Sequence, residues 1–171
     1  MEKKTIRTII IILAVLIQVS FLAVVFPQYN VPSIALALVV SWTIISGFQQ
    51  IFPWIILLGF FLDIVSFQTV GINIILLVMI SYFVSFFSRR FLLEHRGWGT
   101  LIIVFFIIIS TFFYYSVNVF IADSENALAN ISLGNVGIQT IVNLILFLII
   151  YFPLKKIEEF LAFYDRTVKI K

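Results

Sequence analysis

Few side chains in this 171-residue chain are of a type that does chemistry. The most conspicuous is Asp63, inside the apolar stretch "LLGFFLDIVSFQTVGIN" that runs from Leu57 to Asn73. A carboxylate in such a setting can serve a proton or ion relay, a partner contact, or a tie within the fold. A relay needs further ionisable groups along a path, and the apolar segments offer Asp63 alone. Acid–base catalysis wants two titratable groups with separated pKa values. Nucleophilic catalysis wants Ser, Cys or Thr beside an oriented base. The single histidine, His95, lies in the basic stretch "RRFLLEHRG", where solvation is its simplest fate. There is no cysteine, no HExxH, no carboxylate cluster, no Walker loop and no dinucleotide fingerprint. The sequence therefore reads as no enzyme, with no cofactor and no metal.

The elements that must position Asp63 follow from composition. The chain is 63% hydrophobic and 11% charged, with a mean hydropathy of +1.19. A soluble domain is roughly half apolar and about a quarter charged. So much apolar surface has to face lipid. The expected fold class is an all-α integral membrane protein, a bundle of six transmembrane helices with both termini cytoplasmic and a short amphipathic C-terminal helix. The spans are expected at residues 6–26, 31–46, 51–67, 70–88, 98–122 and 136–153, within a single transmembrane domain. The first reads as a retained span, with a signal peptide as the alternative. Pro53 is placed in the first turn of the third span.

The net charge of +3 needs no nucleic acid to explain it. With six spans, all eleven Lys and Arg residues fall on one side: Lys3, Lys4 and Arg7; Arg89, Arg90 and Arg96; Lys155, Lys156, Arg166, Lys169 and Lys171. The positive-inside rule makes that side the cytoplasm. The second and third spans are short and joined without charge, so a re-entrant hairpin is an alternative that leaves the sidedness unchanged. In the tail, residues 154–171, Ile157, Phe160, Leu161, Tyr164 and Val168 recur at helical spacing, which predicts an amphipathic helix on the cytoplasmic leaflet.

Polar residues inside spans usually face other helices. Asn118, four residues beyond Tyr114, and Asn143, four beyond Gln139, give the last two spans a polar stripe each, for internal packing or a membrane partner. Asp63 has no basic residue on its side. Either it is protonated, since lipid favours the neutral acid, or it accepts hydrogen bonds from the first N–H groups of the fourth span, near Val70 to Asn73. Gly71 would let that turn come close. Gly59, one turn before Asp63, would admit a neighbouring helix.

The stretch "GFFLDIVSFQTVGINIILLVMISYFVSFFSRRF" resembles the central region of the MreD family of bacterial rod-shape-determining membrane proteins. Gly59, Leu62, Asp63, Ser66, Gly71, Tyr82, Arg89 and Arg90 carry the likeness, clearest from Trp54 to Leu92. Ser33 stands where the family usually has Asp or Asn. The resemblance implies a multi-pass protein of the bacterial cytoplasmic membrane and a non-enzymatic scaffold of the cell-elongation complex. Its partners would be an MreC-like protein, MreB filaments, and a RodA-type peptidoglycan polymerase with its transpeptidase. The family is also thought to share its six-helix arrangement with vitamin-transporter subunits, so a small-molecule binding subunit of a transporter is the alternative.

Overall fold

The computed structural model describes residues 3–22, 32–65, 71–91, 99–122 and 133–168. Among these, all regular structure is helical. Helix α1 (Lys3–Leu16) runs on into a π-helical turn at Ile17–Leu22, followed by α2 (Ile34–Ser46), α3 (Phe48–Val65), α4 (Ile72–Phe91), α5 (Gly99–Ala122) and α6 (Leu133–Val168).

Helix α2 is the hub. Its sequence "IALALVVSWT" offers no polar stripe for water, and a helix apolar all round belongs in the interior. Every residue from Ile34 to Thr43 is buried, and α2 packs on each of the other five helices. Leu38, Val39 and Trp42 join Ile11 and Val15 of α1 and Ile51, Ile55 and Leu58 of α3. Leu36, Ala37 and Val40 meet Leu76 and Ile80 of α4, Ile107 of α5 and Phe147 of α6. Ala35, Ala37 and Ser41 are small, which lets several backbones approach one helix.

Polarity is inverted relative to a soluble domain. Ser41, Thr43, Asp63, Asn73, Ser81, Thr111 and Asn143 are buried, while Ile75, Phe86, Phe105, Ile141 and Ile149 are exposed. Exposed aliphatic and aromatic faces on most helices are what lipid requires. Two helices among the described residues are long and apolar enough to cross a membrane, Phe48–Val65 and Val136–Phe163. Shorter apolar runs occupy Ile34–Ser46, Ile72–Ser88 and Val104–Val117.

Two expectations are corrected. The tail does not form a separate helix, because α6 continues unbroken for 36 residues with Pro153 inside it. Proline removes one backbone donor and crowds the carbonyl four residues earlier, but packing beyond it overrides that cost. Leu154, Glu158 and Leu161 are buried against the bundle, whereas Phe160 is 65% exposed. The docked face is thus rotated from the one the apolar spacing picked out. Second, α3 starts at Phe48 rather than Ile51, so Pro53 falls in its second turn. The chain reverses at Gly47 alone, whose φ of 78° is open to glycine at little cost.

Candidate functional site

Asp63 lies in the last turn of α3 and is only 1% exposed. Its Oδ2 accepts the backbone N–H of Gly71 at 2.7 Å. Its Oδ1 accepts the backbone N–H of Asn73 at 3.0 Å and the Asn73 side-chain amide at 2.9 Å. The first N–H groups of a helix have no partner in their own helix, and they favour an anion. The α4 N-terminus therefore supplies the carboxylate with backbone donors. Asn73 passes the network on, because its Oδ1 accepts the Tyr114 hydroxyl of α5 at 2.8 Å. One carboxylate so joins three helices.

The two glycines act differently. A Cβ on Gly59 would stand 2.7 Å from Ile74 Cα and 2.8 Å from Ile74 N, so α3 and α4 touch backbone to backbone there. Gly71 was expected to permit a close approach, yet a Cβ there would meet nothing within 4 Å. Its φ of 107° is the reason for glycine, since L side chains rarely adopt it.

A second network caps α2. The Ser33 hydroxyl accepts the Leu36 N–H at 3.1 Å, the usual N-cap bond. Asn143 of α6 accepts the Ser33 N–H at 2.8 Å, and Gln18 accepts the Ala35 N–H at 2.9 Å from the π-helical turn. Asn143 also donates to Thr111 of α5 at 3.1 Å. Side chains from two other helices thus satisfy donors that water would satisfy in a soluble protein. Further along α2, Thr43 and Ser81 share a hydrogen bond of 2.7 Å.

At the other end of the bundle, Arg7 and Glu158 form a buried two-pronged pair, Nε to Oε1 at 2.9 Å and Nη2 to Oε2 at 2.8 Å. The Trp42 indole N–H donates to Glu158 Oε1 at 2.7 Å. The guanidinium lies over the rings of Trp42 and Trp54, 5.6 and 5.9 Å from their centroids. Arg7 was expected only as one of the cytoplasmic charges, and Glu158 as part of the tail. The signal for Glu158 was its place between Leu154 and Leu161, on what becomes one buried face.

The structure brings Gly59, Asp63, Gly71 and Asn73 together and places Asn143 in the cap of α2. Tyr82 stands apart, 56% exposed, its ring edge-on to Phe48 at 5.8 Å. Ser66 and the Asn118 side chain lie outside the described residues. Among the described residues no group of three or more His, Cys, Asp or Glu side chains could hold a metal ion.

A lipid-facing apolar exterior around a hydrogen-bonded polar interior defines an all-helical integral membrane protein. The match to a family is equally direct: the model of the rod shape-determining protein MreD covers residues 2–160. The chain belongs to the MreD family, and its role is in determining rod shape. No curated protein and no solved structure matches it significantly.

Proposed function

We propose that the protein is a non-enzymatic, six-span scaffold of the cell-elongation complex. It connects an MreC-like protein and MreB filaments to a RodA-type polymerase and its transpeptidase in the cytoplasmic membrane. The observation that carries this reading is how Asp63 is used. Both of its oxygens are engaged by N–H groups of the same chain. An acid occupied in this way is a tie between helices, not a relay or a ligand for cargo. The chain then acts through its helix surfaces and short loops.

The sidedness proposed for it has both termini in the cytoplasm, with the Arg7 end of the bundle inside and the Asp63 end outside. Support comes from the common side of the basic residues. Helix α2, 13 residues or about 20 Å long, is shorter than the roughly 30 Å hydrocarbon core. It nonetheless links the Gln18–Asn143 layer to the Arg7–Glu158 layer, which favours a crossing segment over a re-entrant hairpin. Its start lies below the outer surface, and side-chain caps replace water there.

The test is copurification from a native membrane extract. Recovery of an MreC-like protein with the polymerase and transpeptidase is expected. Recovery of an ATPase module with a retained small molecule would instead establish the transporter-subunit alternative.

A further inference from the structure

The extension of α6 past Pro153 docks on the bundle along one face. Leu154, Glu158 and Leu161 share one side of the helix and are buried. Lys155, Lys156, Glu159 and Phe160 face outward. The charged member of the docked face, Glu158, is held by Arg7 through two bonds and by Trp42 through a third. The long Arg7 side chain of α1 reaches across to Glu158 of α6. Where the extension begins, Pro153 lacks the donor that a helix interior uses. A weakened backbone joint and a polar anchor about one turn further on make a lever.

We infer that the Arg7–Glu158 pair is a latch and Pro153 its hinge. Closed, the latch holds the α6 extension against α1 and α2. Released, the extension swings out as a unit while the rest of the bundle stays folded. Two discrete states follow from the electrostatics. A buried ion pair is tolerated while both partners are present, and each partner alone needs water. Water reaches both groups when the extension leaves, so a broken pair with the extension still docked is the costly arrangement. The latch thereby couples the first helix to the last at one face of the bundle. It goes beyond the scaffold reading and does not depend on it.

The chain contains no cysteine, so single reporters can be introduced into the full protein in detergent. Leu161→Cys reports on the docked face of the extension, and Ser81→Cys on the centre of the bundle. The probe is a thiol-reactive coumarin maleimide. With Arg7 and Glu158 intact, both reporters are protected. Glu158→Gln is expected to raise labelling at Leu161→Cys by about tenfold, as local opening does, and to leave Ser81→Cys protected. Adding Pro153→Ala, which restores the backbone donor, lowers that labelling. Arg7→Lys, which keeps the charge but loses the fork, carries the same comparison if Glu158→Gln does not fold. The latch is overturned if the two reporters rise together, or if Leu161→Cys stays protected. Labelling that is unchanged by Pro153→Ala removes the hinge.

Discussion

Asp63 accepts two hydrogen bonds from Asn73, one from its backbone N–H at 3.0 Å and one from its side-chain amide at 2.9 Å. With Gly71 on the other oxygen, the end of α3 is fastened to the start of α4. Removing the side chain leaves buried donors with no acceptor. Asp63→Leu is expected to cost about 3 kcal/mol or more, since each unsatisfied donor carries about 1–3 kcal/mol. Asp63→Asn keeps one acceptor oxygen and should cost roughly half as much. Thermal melting of the purified chain in detergent checks the order. Equal melting temperatures for the two variants would mean that the hydrogen bonds do not hold the turn.

Gly59 and Gly71 should fail for different reasons. Gly59→Ala drives a Cβ against the Ile74 backbone, an overpacking cost of about 1–3 kcal/mol. Gly71→Ala has room but the wrong φ, at about 1–2 kcal/mol. Asparagine tolerates positive φ better than alanine. Gly71→Asn should therefore melt above Gly71→Ala, whereas Gly59→Asn should melt below Gly59→Ala. The reverse order at either site would refute the assignment for that glycine.

Tyr114 and Asp63 meet through Asn73, so their effects should not add. Tyr114→Phe alone is expected to cost about 1 kcal/mol, the net worth of one hydrogen bond. Combined with Asp63→Asn, the pair should show a coupling of at least about 0.5 kcal/mol in a double-mutant cycle. Strict additivity would argue that Asn73 does not transmit between them.

Asn143 tests the cap of α2. Asn143→Leu fits an apolar core but leaves the Ser33 N–H without its acceptor and removes the amide that donates to the Thr111 hydroxyl. The expected loss is about 1–3 kcal/mol. Ile141→Leu, on the exposed face of the same helix, should change melting by no more than about 0.5 kcal/mol. A comparable loss at both positions would remove the special role of the cap.

What could be read from the sequence was local. Asp63, Gly71 and Asn73 lie within one helix–turn–helix segment, so the donors at the start of α4 were already the nearest partners for the carboxylate. The reason for Gly71 was not legible, because free space and φ are properties of the folded turn. Arg7 and Glu158 are separated by 151 positions, and no spacing rule links such a pair. The phase of the tail was missed for a related reason. A helix break at Pro153 would leave the tail free to rotate, and its apolar residues would then set the buried face. Continuity of α6 fixes that rotation instead and turns Leu154, Glu158 and Leu161 inward. The central place of α2 was also hidden. Its short run of small and apolar residues reads as a weak span until five neighbours are seen around it.

On the proposed reading, Asp63 serves as a tie between helices. Cell shape in a rod-shaped bacterium depleted of its own copy tests this most directly, with variant abundance in the membrane matched to the parent. Asp63→Asn at matched abundance should restore rod shape, because an uncharged acceptor still supports the fold. Round cells carrying folded, normally abundant Asp63→Asn protein would show instead that the ionisable group itself is needed.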